Sequence, residues 1–170
     1  MKTIYLIRHA KSSWKNYPGI EDFDRPLNER GEKEAVWTAK RLKQSGAHPE
    51  ILISSPAVRA RSTAQVIAKH IKYPPKKIIF EPAIYESGLR EIVNIIKNID
   101  EKYSRAAIFG HNPSMSSVLN YLSSRELGEM PTAAMACLEF EVDTWQKMAR
   151  KKGKVVFFES PDHLKEKTES

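Results

Sequence analysis

The chain has 170 residues, 41% apolar and 29% charged, which is enough for one domain with a real core. Its single cysteine, Cys137, excludes an intramolecular disulfide, and no apolar run approaches the ~20 residues that span a bilayer. The net charge of +7 is compatible with nucleic acid, an anionic surface or a small anionic substrate. The basic residues are dispersed, however, with the densest cluster at Arg150, Lys151, Lys152 and Lys154. No basic stripe is interleaved with aromatics, so neither nucleic acid nor a membrane is an expected partner. The opening residues MKTIYLIRHAK hold too short an apolar stretch for a secretory leader, and a cytoplasmic protein is expected.

In chain order, Thr3, Ile4, Tyr5, Leu6 and Ile7 predict a strand buried on both faces. A polar loop follows over 11–27. Asn28 is the expected N-cap of a helix over 30–44, with Ala35, Ala39 and Leu42 on one face and Gly46 as its stop. Ile51, Leu52 and Ile53 predict a second strand, ended by Ser54, Ser55 and Pro56. A helix over 57–71 turns Ala60, Ala64, Ile67 and Ala68 inward, and Pro74 and Pro75 break the chain. A third strand is expected over 77–80, a helix over 89–99, a fourth strand over 106–109 and a helix over 114–123. Segments 135–142 and 154–158 predict two more strands. Their short connection has room for one helical turn and suits an antiparallel pair at the sheet edge. The pattern is that of a three-layer α/β/α sandwich with a mostly parallel sheet, one domain over 1–160 and a charged tail over 161–170.

Ligands of such sheets bind beyond the carboxyl ends of the strands. Strand one ends in Arg8 and His9, strand two in Ser54, Ser55 and Pro56 with Arg59 shortly after, and strand four in Gly110, His111 and Asn112. Two guanidiniums and two imidazoles without paired carboxylates suit a small dianion, because the guanidinium fork matches phosphate oxygens. The helix N-termini after Pro56 and Pro113 add N–H donors. A neutral imidazole can attack phosphorus and a protonated one can bind a phosphoryl oxygen, so phosphoryl transfer through a phosphohistidine fits. No His-x-x-x-His, cysteine pair or carboxylate spacing supports a metal at His9 and His111. Arg61 competes with Arg59, but two residues apart on a helix they face different ways. His48, His70 and His163 fall in loop, helix and tail contexts without such company, and Cys137 reads as an inert core thiol.

Leu6, Ile7, Arg8, His9 and Ala10, then Ser55 and Pro56 with Arg59, Ala60, Thr63 and Ala64, then Gly110, His111 and Asn112 resemble the histidine phosphatase superfamily, which includes phosphoglycerate mutases. The short chain, Ala10 in place of the usual Gly, and Asp24, Arg25, Pro26 and Leu27 before Gly31 look most like SixA-type phosphohistidine phosphatases. The resemblance implies His9 as nucleophile, with Arg8, Arg59 and His111 holding the phosphoryl oxygens and no metal or other cofactor required. His9 must then be neutral at its attacking nitrogen, its other nitrogen donating to a backbone carbonyl.

The chain departs from the larger members in lacking the insertion that carries their general acid. Glu86 is the candidate acid and Asp24 a distant second. A phosphoramidate needs less help from an acid than an alkyl phosphate does, because its leaving nitrogen is basic enough to be protonated first. The rim, without a lid, is open to a protein-borne phosphohistidine. The expected function is therefore a metal-independent phosphatase acting on protein phosphohistidine. The alternatives are a small-molecule phosphomonoesterase, a mutase-like transferase and a non-catalytic phosphate-binding module.

Overall fold

The strand expected around Ile4 runs over Lys2–Arg8 (β1) and lies inside a six-stranded sheet. The computed structural model describes residues 1–15 and 17–162, so His163 and the tail beyond 162 lie outside the described residues. The other strands are β2 (Ile51–Ser54), β3 (Ile79–Phe80), β4 (Arg105–Gly110), β5 (Met135–Phe140) and β6 (Lys154–Glu159). Their spatial order is β3-β2-β4-β1-β5-β6. Pairing is parallel from β3 through β2 and β4 to β1, and antiparallel from β1 to β5 and β5 to β6. This is the expected mostly parallel sheet with an antiparallel edge.

Register fixes what shares the rim. Arg8 lies opposite Gly110 and Phe109 opposite Ser54, so the segments leaving β1, β2 and β4 emerge side by side. Successive side chains of a strand face opposite ways. Ile4 and Leu6 join Ile53 and Ile108 in one core, covered by α4 (Leu89–Lys97) and α5 (Ser114–Leu122). Tyr5 and Ile7 join Leu52 and Phe109 in the other, covered by α1 (Glu29–Gln44) and α2 (Val58–His70). Ile4, Leu6 and Ile7 are fully buried. Burial of each such side chain contributes ~1.5–3 kcal/mol, enough to pin β1 and the residues that follow it.

Local chemistry sets the ends. The Asn28 side chain accepts from the Gly31 N–H at 2.8 Å, the expected N-cap of α1. β3 is shorter than expected, because Pro75–Lys77 coils into a 3-10 turn in which the Lys77 N–H bonds to the Pro74 carbonyl. α4 ends at Lys97, where the Asn98 side chain donates back to the Asn94 carbonyl. The connection between β5 and β6 holds the expected turn, Trp145–Lys147, anchored by a fully buried Trp145 whose Nε1–H donates to the Tyr103 carbonyl. Two elements lie where the sequence predicted none. A 3-10 turn over Asp22–Asp24 interrupts the polar loop, and a five-residue helix, α3 (Pro82–Glu86), follows β3. Both flank the rim.

Candidate active site

The residue after β1 is held by backbone on both sides. His9 N–H donates to the Gly110 carbonyl at 3.0 Å, and the His9 carbonyl accepts from Ala133 N–H at 2.9 Å. Its ring is 7% exposed, with Nδ1 2.7 Å from the Ala10 carbonyl. A carbonyl can only accept, so Nδ1 carries the proton and Nε2 keeps its lone pair. Burial pushes the His9 pKa down to about 3, aided by His111, Arg59 and Arg8 and opposed only by the Ala10 carbonyl. Ala10 is itself fixed, its N–H donating to Thr63 Oγ1, whose hydroxyl donates to the Arg59 carbonyl.

His111 follows β4, its ring centroid 5.1 Å from that of His9. Its Nε2 lies 2.7 Å from Ser55 Oγ, which already accepts from the Ala57 N–H. The Ser55 hydroxyl, with one proton and a second lone pair, matches Nε2 in either tautomer of His111, and Nδ1 has no partner among the described residues. Burial, then the neighbouring Arg59, push the His111 pKa down to about 4, with Arg25 and Arg8 acting the same way and Asp22 opposing.

Arg59, in the first turn of α2, is 5% exposed, while Arg61 is exposed to solvent. Arg59 donates to the Asp22 carbonyl at 2.7 Å and to Asp22 Oδ2 at 3.0 Å. Arg8 donates to the Met130 carbonyl at 2.9 Å. Among the described residues, the buried side-chain N and O atoms without a hydrogen-bond partner are Arg8 Nε, Arg25 Nε, Arg59 Nε and His111 Nδ1. Buried donors are ordinarily paired, so four orphans in one cluster mark a place built for an anion.

Three residues of this cluster escaped the sequence reading. Asp22 accepts from Arg59, from Arg25 and, at 2.8 Å, from the Tyr85 hydroxyl. Partial burial raises its pKa, but the bonds from Tyr85, Arg59 and Arg25 outweigh this and hold it at about 2. Tyr85 packs edge-on to His111 at 5.6 Å, and Phe23 edge-on to Tyr85 at 5.2 Å. The usable signal was the spacing of Asp22 and Arg25, three apart and therefore neighbours on one helical turn. Among the described residues, Asp24 makes no side-chain hydrogen bond or ion pair to the cluster, and Glu86, exposed at the end of α3, makes none to the other site residues. Cys137 is buried in β5 with its pKa pushed up to about 12, as expected of a core thiol.

Residues 4–94, just over half of the chain, match the family model described as histidine phosphatase superfamily (branch 1). A crystal structure of an Agrobacterium tumefaciens protein assigned as the phosphohistidine phosphatase SixA superposes with a TM-score of 0.79 at 26% identity, covering 94% of this chain and 98% of that one. An uncharacterized chloroplastic protein of Arabidopsis thaliana is 28% identical over 153 residues, 85% of this chain and 69% of its own length. A 2,3-bisphosphoglycerate-dependent phosphoglycerate mutase of Bartonella bacilliformis is 33% identical over 100 residues, 57% of this chain. That match spans 48%, about half, of the mutase.

Proposed function

The chain belongs to the histidine phosphatase superfamily, and on that premise we propose that it hydrolyses a protein-borne phosphohistidine by way of a phosphoryl group carried on His9. The observation that carries this reading is the fixed tautomer of His9. Nδ1 is committed to the Ala10 carbonyl, so the free lone pair is on Nε2 and a low pKa keeps it there at neutral pH.

In the first step Nε2 attacks phosphorus and the bond to the leaving group breaks. Arg8 and Arg59 supply charged donors to the equatorial oxygens, and His111 lies beside them as a further phosphoryl-binding group. The proton stays on Nδ1, hydrogen-bonded to the Ala10 carbonyl, so the phosphorylated ring keeps its orientation. In the second step water attacks, the N–P bond breaks and orthophosphate leaves. The charge that a metal would supply comes from guanidinium groups, and turnover is proposed to need no divalent ion.

The preference for a phosphoramidate is supported by the exposed position of Glu86 and by an Asp22 too strongly ionised to donate a proton. The likeness to a structure assigned as a phosphohistidine phosphatase supports a phosphohistidine substrate, and the partial match to a mutase favours small phosphate esters as the second reading. Hydrolysis of a panel decides between them: a phosphohistidine protein, a phosphoserine peptide, sugar phosphates and nucleotides, each with and without EDTA. Fastest turnover of the phosphohistidine protein, unchanged by chelation, is expected. Preference for a sugar phosphate would transfer the assignment to small molecules, and loss with EDTA would end the metal-free mechanism.

A further inference from the structure

We propose that Phe23 and Tyr85 form a leaving-group subsite that grips a protonated imidazole ring, making these two side chains the specificity determinants for phosphohistidine. The inference rests on the phosphatase reading above and names what that site selects.

Four rings run in series from the buried end of the pocket to solvent. His9 and His111 are 5.1 Å apart, His111 and Tyr85 form a T-shaped pair at 5.6 Å, and Tyr85 and Phe23 a second T-shaped pair at 5.2 Å. Exposure rises along this row from 7% at His9 and 9% at His111 to 37% at Phe23. In-line displacement sends the leaving group away from the nucleophile. His9 is at the closed end, so the leaving group travels toward the open end, where Tyr85 and Phe23 are. Tyr85 is not a loose flap, because Asp22 holds its hydroxyl and is itself held by Arg59 and Arg25. The same loop presents Trp14 at 51% exposure, stacked under the Arg25 guanidinium at 4.8 Å. Exposed large aromatics are scarce elsewhere on the described surface, Phe80 apart, and aromatics gathered beside a site signal contact with a ligand.

The proton inventory says which ring. Asp22 is ionised, and its bond to Tyr85 makes that phenol a weaker acid than usual. Glu86 is exposed and unconnected to the cluster. An alkoxide would depart here without a proton donor. A phosphoimidazole needs none, because its other ring nitrogen takes a proton from solvent before reaction. His9 Nε2 then forms the new N–P bond as the substrate N–P bond breaks. The electron pair of the broken bond stays on the departing imidazole, which leaves neutral with the proton it brought. Until that moment the substrate ring is cationic, and aromatic faces attract a cation while offering an alkyl chain only burial.

The test compares kcat/KM for phosphoimidazole and for phosphoserine in the unmodified chain, Phe23→Leu and Phe23→Trp, with orthophosphate inhibition measured in each. Phe23 is on the surface, and leucine preserves most of its bulk. In Phe23→Leu the ratio of the two kcat/KM values is expected to fall about 10-fold, the order of a cation–π contact in a partly desolvated site. Phe23→Trp should restore or raise it, and orthophosphate, which has no leaving group, should inhibit all three alike. An unchanged ratio in Phe23→Leu overturns the subsite. A shift of orthophosphate inhibition in either direction overturns it too, by assigning Phe23 a structural role in placing Asp22 and Arg59. No turnover of either substrate by the unmodified chain overturns the phosphatase reading itself, and the subsite with it.

Discussion

Arg59 donates through both terminal nitrogens to one residue, Asp22, reaching its backbone carbonyl at 2.7 Å and its carboxylate at 3.0 Å. The carboxylate also accepts from Arg25 and Tyr85. Three donors around one anionic group is the arrangement a phosphoryl group would need, so Asp22 and the substrate compete for Arg59. Removing the carboxylate charge is expected to tighten binding of orthophosphate and vanadate. Asp22→Asn should lower both inhibition constants about 10-fold, the scale of one charge-assisted bond. Weaker inhibition would instead mean that Asp22 holds Arg59 in its working position.

Arg59 and Arg61 give a paired prediction. The first is buried in the cluster at the start of α2, and the second is exposed on a different face. Arg59→Ala removes a donor aimed at developing charge and should cut kcat/KM by ~10²-fold or more. Arg61→Ala should retain most of it. Steady-state kinetics with p-nitrophenyl phosphate read both, and the reverse order would displace the phosphate site from the α2 terminus.

Arg8, His9, Arg59 and His111 were legible because each follows a buried strand whose hydrophobic run is unmistakable, and parallel pairing brings those ends to one rim. Asp22, Phe23 and Tyr85 were not. The loop over 11–27 has no hydrophobic period to place its side chains, and its one regular turn, Asp22–Asp24, is three residues long. Tyr85 is on a five-residue helix, too short for a 3.6-residue repeat to register. Ser55 was read as the end of a strand, although its hydroxyl bonds Nε2 of His111 and holds that ring. That role depends on a contact between residues 55 and 111, which only the register of β2 against β4 reveals.

Two histidines buried without charge also predict how stability varies with pH. His9 is depressed to about 3 and His111 to about 4, against an ordinary value near 6.5. Between those values the unfolded chain binds protons that the folded one refuses, so unfolding becomes easier as pH falls. Both contributions are complete above about pH 6.5 and are lost on descending toward pH 4. Each group steepens the slope by at most ~1.4 kcal/mol per pH unit. Urea melts from pH 7 to pH 4.5 should show this loss, and the double substitution His9→Asn, His111→Asn should flatten it. The low pKa of Asp22 acts only below this window, near and under the usual carboxylate range. An equally steep profile in the double variant would place the acid sensitivity elsewhere.

The chemical test of the proposed mechanism is the covalent intermediate. His9 is locked on three sides, by Gly110 and Ala133 through its backbone and by Ala10 through Nδ1, so its ring presents one nitrogen in one orientation. His111 has Nε2 bonded to Ser55 Oγ and its ring 5.1 Å from that of His9, a setting that suits oxygen binding. Rapid quenching during turnover of a labelled substrate should therefore yield a base-stable, acid-labile phosphoenzyme, with the label on the peptide containing His9. His9→Ala should abolish labelling while preserving the melting transition, because the residue fills little of either core. His111→Ala should slow labelling by ~10²-fold without moving it, as expected when one oxygen-binding donor is lost. The Ser55→Ala variant removes the hydrogen-bond partner of His111 Nε2, so labelling should slow while His9 stays the site. Label recovered on His111, or rapid turnover with no trapped phosphate, would replace nucleophilic catalysis by His9 with direct attack of water.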